Sequence, residues 1–441
     1  MSSRIVVLLS LAAVLQAAPE RRLTLDEAVD LALKQNSILR LTRLKARERQ
    51  AKTITARANY FPQLSAEANY WQILEKQGVT IPAGTLGVFP DLGPLPQHAL
   101  RIEQGGISLL FSQTTLGQPL TQLIKIRQGH RIALLDTAIA EQDVKRAESE
   151  VALRAQEAFF GLLIARAERR AAQLQVGFAQ ERLREAREAV EAGKALEVAS
   201  LGARAGWLES RHALLALDNR ISDVNVELCD LIGLPLDTAI DPVAPEIQRI
   251  DAPPLDEFIK TGVESSAEVR SAQYQVEKAR RGVTAARADY IPEISAFGQH
   301  VWQNGVPFLA RNNGIVGMKM NWNLYDWGKR RGVVDERRAL EEQAEENLRR
   351  VKNRLQVDVE KAYRKLERSR EMVEVAREAE SLRKESVRLA ADQLEAGVIT
   401  ASKARESEAA LAKAEADALA ASLGARLARA ELDRAAGLMP W

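Results

Sequence analysis

A single cysteine, Cys229, stands in 441 residues. One thiol excludes an intramolecular disulfide and a cysteine metal cluster, and a buried, inert side chain is its expected state. Charge of one sign is lacking too: 62 Lys and Arg against 60 Asp and Glu leave a formal net charge of +2. Without a basic patch or an aromatic-plus-basic motif there is no footprint for nucleic acid. After the N-terminal segment no stretch reaches the roughly 20 apolar residues of a membrane-spanning helix. Nucleophile elbow, phosphate loop and dinucleotide fingerprint are missing, and His98, His130, His212 and His300 are scattered without a ligand spacing. Paired carboxylates such as Glu341-Glu342 lie in helical charge runs, which are ordinarily solvated faces. No catalytic residue, cofactor or metal is therefore expected. Proline is absent from Leu120 to Leu234, where the composition turns to Ala, Leu, Glu and Arg and favours helix.

What is present begins with Arg4, the apolar run Ile5 to Leu15, and Gln16-Ala17-Ala18. A charged start, a short apolar core and a small-residue site are the parts of a secretory signal peptide, expected over residues 1–17. The mature chain should leave the cytoplasm, and with no cysteine at the cleavage site a lipid anchor is not expected.

The remainder is written twice. Ala56-Arg57-Ala58-Asn59-Tyr60-Phe61-Pro62-Gln63-Leu64-Ser65-Ala66 returns as Ala286-Arg287-Ala288-Asp289-Tyr290-Ile291-Pro292-Glu293-Ile294-Ser295-Ala296, an offset of 230. The same offset carries Leu25-Asp26-Glu27 onto Leu255-Asp256-Glu257. Further on, Ala158-Phe159 maps to Ala362-Tyr363, Gly193 to Gly397 and Gly233 to Gly437 at an offset of 204. The first copy thus holds 26 extra residues, for which the Gly- and Pro-rich stretch Gly78 to Pro96 is the obvious place. A repeat this long is a duplicated domain half and not a solenoid unit. The first copy is assigned to 18–250 and the second to 251–441.

Within a copy, Thr24-Leu25-Asp26-Glu27 has capping-box spacing and predicts a short helix to about Asn36. A second helix is expected from about Ser37 to Ala58, ended by Tyr60-Phe61-Pro62, because the residue before proline is pushed out of the helical region. Past Pro62 the period becomes that of a strand. Four segments alternate in this way, near 63–71, 107–116, 293–302 and 315–324, each with about the 9 to 11 residues that a tilted strand needs to cross a bilayer. The clearest places Val316, Met318, Met320, Trp322 and Leu324 on one face and Gly317, Lys319, Asn321, Asn323 and Tyr325 on the other. Trp71, Trp302, Trp322 and Trp327 lie on or beside the strands, where aromatic girdles are expected. Then come helical hairpins at 121–231 and 330–436, turning at Gly193 and Gly397. The first arm, at ~1.5 Å per residue, would be roughly 105 Å long, more than a compact domain encloses. The helix Ser37 to Ala58 could supply the length missing from the short arm by stacking on its end.

Four strands cannot close a barrel, and an open edge cannot be left in lipid, so chains must associate. Two copies would give eight strands and three would give twelve, of which only the larger leaves a useful lumen.

At this point the residues resemble the TolC-like outer membrane efflux proteins over nearly the whole mature chain. The likeness rests on Leu25-Asp26-Glu27-Ala28, Tyr60-Phe61-Pro62, Leu324-Tyr325-Asp326-Trp327-Gly328, Ala158-Phe159 with Ala362-Tyr363, Glu191-Ala192-Gly193 with Glu395-Ala396-Gly397, and Leu231-Ile232-Gly233-Leu234-Pro235. The order of these motifs, repeated at constant offsets, carries the argument more than any one of them. The resemblance implies an α+β membrane protein: a homotrimer sharing one twelve-stranded outer-membrane β-barrel, continued into the periplasm by a long α-helical barrel. It implies an exit duct of a tripartite efflux pump or type I secretion system, with a periplasmic adaptor at the helical tips, an inner-membrane transporter as energy source, and no chemistry of its own. Acidic residues past the second turn often ring the closed pore mouth in that family. Glu406 matches one such position, whereas Lys403 stands where the family commonly has Asp, so a strongly acidic mouth is not expected. The competing reading is an exported coiled-coil scaffold or periplasmic adaptor, which would carry one hairpin flanked by unrelated domains and not four bilayer-length strands in duplicated pairs.

Overall fold

The computed structural model describes residues 20–75, 78–103, 105–246, 253–306 and 309–439. The expected signal peptide and the 250/251 boundary between repeats lie outside them. In chain order the elements are β1 (Arg21–Leu23), α1 (Leu25–Gln35), α2 (Ser37–Ala58), β2 (Gln63–Gln72), β3 (Gly78–Ile81), β4 (Val88–Phe89), β5 (Gly93–Pro94) and β6 (Leu100–Glu103). There follow β7 (Ser108–Pro119), α3 (Leu123–Glu191), α4 (Glu197–Ile232), β8 (Ile240–Pro242), α5 (Leu255–Ser265) and α6 (Ala267–Arg287). The last are β9 (Glu293–Asn304), β10 (Asn312–Asn321), α7 (Lys329–Glu395) and α8 (Ala401–Ala435). Two compact units result, and neither is a repeat. One takes described residues up to Ala46, from Ile139–Gln273 and from Asn347 onward, and the other takes Arg47–Ala138 and Tyr274–Glu346.

In the first unit the local sequence decides where helices start and stop. Thr24 caps α1 reciprocally: its Oγ1 accepts from the Glu27 amide at 3.3 Å and its own amide donates to Glu27 Oε2 at 3.0 Å. Such a cap contributes about 1 kcal/mol. At the far end of the hairpin Gly233 and Gly437 close α4 and α8 at φ 72° and 64°. Glycine is demanded there by space as well, since a Cβ on Gly233 would meet Gln35 Cβ at 2.7 Å and one on Gly437 would meet Ser266 Cα at 2.9 Å. Asn36 joins two helices at this place: its Oδ1 caps α2 through the Ile38 and Leu39 amides, and its Nδ2 donates to Leu231 O in the last turn of α4 at 3.2 Å. The start of α2 is thus tied to the end of α4, the stacking that the unequal arm lengths predict.

Two cores form, and the first also takes Leu423 from α8 of the second repeat. Val29, Leu39, Phe159, Leu162, Leu228 and Ile232 pack in the first, and Phe258, Val269, Leu355, Val359, Leu366 and Leu432 in the second. Burying one such side chain stabilises by about 1.5–3 kcal/mol. Between the arms run Arg169–Asp218 at 2.5 Å, Arg220–Glu168 at 2.9 Å and Lys365–Glu431 at 2.7 Å. Alanines 409, 412 and 416 are buried along α8, where small side chains let helices approach. Cys229 is buried as expected, its Sγ donating to Thr238 O at 3.4 Å, and burial pushes the thiol pKa up. A parallel pair of short strands, β1 with β8, was not legible in the sequence. Three residues carry no period, and the pair is held from outside by Arg166, which donates to Asp241 Oδ1 at 2.7 Å and Ile240 O at 2.6 Å.

The second unit holds one four-stranded antiparallel sheet in the order β10-β9-β7-β2. Three strands lie where the alternation places them. The fourth is displaced: β10 runs Asn312–Asn321 and not to 324, because its ladder with β9 ends where Asn321 meets Glu293, so Trp322 and Leu324 fall beyond the strand. The extra residues of the first copy are not a plain loop either. β3 pairs with β6 and, within them, β4 with β5, making a ribbon. The corresponding turn of the second copy is short. Buried Gln303 clamps it, its Nε2 donating to Val306 O at 3.2 Å and Leu309 O at 2.8 Å while its Oε1 accepts from the Val306 amide at 3.2 Å.

Candidate functional site

Register sorts every strand residue onto one of two faces. Gln63, Ser65, Glu67 and Asn69 of β2 stand opposite Gly117, Thr115, Gln113 and Phe111 of β7. Thr115 then meets Gln299 of β9, and Pro119 meets Ser295, which in turn meets Lys319 of β10. This face is predominantly polar and bounds a concavity of about 650 Å³, lined among others by Gln63, Ser65, Thr115, Ser295, Phe297 and Lys319.

The opposite face carries Leu64, Ala66, Ala68, Tyr70, Leu110, Leu116, Ile294, Trp302, Val316, Met318 and Met320, with Ser112, Thr114 and His300 among them. Val316, Met318 and Met320 are 87%, 69% and 64% exposed in a single chain. Side chains of this kind gain about 1.5–3 kcal/mol each on leaving water, so a predominantly apolar sheet face calls for an apolar surrounding. Trp322 and Leu324, also exposed, lie just past the end of β10. Trp71 shares the face of Glu67 and Asn69 and stacks on Phe111 with ring centroids 6.3 Å apart. Period-two patterning alone puts Trp71 on the face opposite Tyr70, and the register agrees. Among the described residues no strand pairs with the outer edge of β2 or of β10, and these two run in opposite directions.

The helical hairpins turn at Gly193 and Gly397, both at φ 70° and both with nothing within 4 Å of a would-be Cβ. Each closes a Schellman cap. The Gly193 and Lys194 amides donate to Val190 O at 2.9 Å and Ala189 O at 2.8 Å, and the Gly397 and Val398 amides to Leu394 O at 3.0 Å and Gln393 O at 2.8 Å. Lys403 and Glu406 lie in the first turns of α8, paired with each other at 2.6 Å and largely exposed. Around them Arg405 reaches Glu408 at 3.5 Å, and Arg184 lies between Glu181 and Glu188, whose hydrogen bonds hold its pKa above the usual range.

One contact at this end was not legible in the sequence. Glu185 of α3 accepts from the Ser402 amide at 2.8 Å and from Ser402 Oγ at 2.6 Å, so a carboxylate from the first repeat caps the start of α8 in the second. A negative group at a helix N-terminus is favoured by the helix dipole. No local spacing links positions in different repeats. The bond also brings the two turns to the same end of this unit, since Glu185 precedes Gly193 and Ser402 follows Gly397 by only one or two helical turns each.

Comparison with known proteins agrees with this geometry. A family model described as "Outer membrane efflux protein" matches residues 28–234 and 259–438, one stretch in each repeat. Among solved structures, the CmeC outer membrane channel of Campylobacter jejuni superposes with a TM-score of 0.77 at 16% identity, over 94% of this chain and 85% of that one. A membrane protein from Pseudomonas aeruginosa gives 0.74 at 17% identity over 94% and 93%. The outer membrane protein VceC of Vibrio cholerae gives 0.72 at 15% identity over 94% and 96%. No curated relative matches the chain.

Proposed function

The chain belongs to the outer membrane efflux protein family, and from that premise we propose that three copies of it assemble into the outer-membrane exit duct of a tripartite efflux pump or a type I secretion system. The observation that carries the reading is the two-faced sheet with open edges. Unpaired backbone groups at an edge cost several kcal/mol each in hydrocarbon, so the edges of β2 and β10 must be covered before the apolar face can meet lipid. Since those strands run oppositely, β2 of one copy can continue the antiparallel order on β10 of the next. Three such steps close a barrel wide enough for a lumen. The apolar face with Val316, Met318 and Met320 then meets outer-membrane lipid, and the polar face lines the passage.

A helical barrel made from the hairpins continues the duct into the periplasm. The turns at Gly193 and Gly397 form its tip, where a periplasmic adaptor protein docks and where Lys403 and Glu406 stand near the mouth. An inner-membrane transporter supplies the energy, and the chain itself performs no chemistry. The scaffold or adaptor reading is not favoured, because it gives no use to an exposed apolar sheet face.

Electrophoresis of outer-membrane fractions with and without boiling tests the assembly. A heat-labile band at three times the chain mass is expected. Recovery of the protein as a soluble periplasmic monomer would overturn the duct.

A further inference from the structure

The chain contains an internal template for the contact it makes with its neighbour. In the first repeat Gln63 pairs with Gly117, and in the second Glu293 pairs with Asn321. These are counterparts under the offsets 230 and 204, so the two hairpins share one register. The central pair, β7 with β9, joins the second strand of one copy to the first strand of the other. An assembly that closes β10 onto β2 of another chain joins the same two kinds of strand. In β7·β9 Thr115 stands opposite Gln299. The counterpart of Thr115 is Lys319 and that of Gln299 is Asn69.

We propose that β10 pairs with β2 of a second copy of this chain in the β7·β9 register, with Lys319 opposite Asn69, and that Lys319 and Glu67 form an ion pair across every such seam. The proposal rests on the three-copy barrel above. The same register sets Met318 against Tyr70, Met320 against Ala68 and Asn321 against Glu67. Two apolar residues thus meet Tyr70 and Ala68 and a polar one meets Glu67, while Val316 falls opposite Gln72. It also extends β10 by counterparts of Gln118 and Pro119, which β9 pairs within the chain; Trp322 and Asn323 thereby enter the strand once the neighbour is present.

Charge makes the choice specific. Within the four-stranded sheet only Glu67, Lys319 and Glu293 are charged, and all three lie on the polar face. Glu67 and Lys319 occupy opposite edge strands, three strand spacings or roughly 14 Å apart within one chain, too far to pair. Glu67 instead accepts from Asn69 Nδ2 at 3.0 Å. Across the proposed seam Glu67 is the diagonal neighbour of Lys319, within reach of two long side chains. Gly317 falls opposite Trp71, beside Phe297, whose ring would already lie 3.1 Å from a Cβ there. A side chain at that point would have no room between the two rings.

Disulfide trapping in a Cys229→Ala background tests the register. Asn69→Cys with Lys319→Cys should give chains covalently linked in threes under non-reducing denaturing conditions. Asn69→Cys with Ile315→Cys or with Asn323→Cys, on the same face but displaced by four residues, should not. Linking through either displaced pair overturns the register even when the trimer forms, whereas absence of a trimer from the wild type overturns the duct reading itself. For the ion pair, Glu67→Lys and Lys319→Glu should each lower the detergent-resistant, heat-labile trimer fraction by about tenfold, and the two together should restore it. No recovery in the double variant, with trapping at 69 and 319 intact, removes the ion pair and leaves the register standing.

Discussion

Val316 offers the sharpest test of which sheet face meets lipid. It is the fifth of ten residues in β10 and 87% exposed in a single chain, so it lies near the middle of the proposed membrane band on its outer side. An arginine facing lipid at the midplane costs about 2–4 kcal/mol per chain. In an assembly of three the loss is on the order of 6–12 kcal/mol, comparable to the whole stability of a typical domain at about 5–15 kcal/mol. Val316→Arg should therefore reduce the detergent-resistant, heat-labile trimer in the outer membrane by well over tenfold. Two controls share the arginine and differ only in place. Gln299→Arg, on the polar face at similar height, should assemble like wild type because a water-filled lumen solvates the charge. Met320→Arg, on the apolar face but four residues nearer the rim, should cost less than Val316→Arg, since the penalty falls toward the interface. Quantitative gels of boiled and unboiled outer membranes, together with urea unfolding in vesicles, give the three values. Equal losses at positions 316 and 299 would refute the two-faced reading, and a larger loss at 320 than at 316 would refute the assigned depth.

At the hairpin turns, Gly397→Val meets no neighbour but forces a β-branched residue to φ 70°, so it should strain the tip by about 1–2 kcal/mol, spare trimer yield and reduce both adaptor cross-linking and export. Lys403→Asp breaks the 2.6 Å pair with Glu406 and should turn single-channel selectivity in planar bilayers toward cations; unchanged selectivity would remove position 403 from the mouth. A protease site engineered near Leu92, in the ribbon of the first copy, should be cut on intact cells while one near Gly193 is protected, because such barrels keep their long loops outside. Glu27 has its pKa lowered from 4.5, foremost by the hydrogen bond from the Thr24 amide and then by that with the Thr24 hydroxyl. A folded value below the unfolded one means stability present above about pH 4.5 and lost as pH falls through the lowered value, so Glu27→Gln should weaken the acid dependence of unfolding in that window.

The amino-acid sequence alone determined whatever depends on near neighbours. The capping box at Thr24, the glycines that end the long arms and the proline at 62 set helix limits to within a residue or two, because caps and excluded backbone angles act over one turn. Alternation sorted Val316, Met318 and Met320 from Lys319 for the same reason, and two constant offsets exposed the duplication. The tertiary structure decided what a single stretch cannot hold. That β7 lies beside β9, leaving β2 and β10 as edges, follows from contacts between repeats. So do the end of β10 at Asn321, the stacking of Trp71 on Phe111, the short pair β1·β8 and the capping of α8 by Glu185. Each joins residues far apart along the chain, where no period or spacing is shared and only the packed fold supplies the partner.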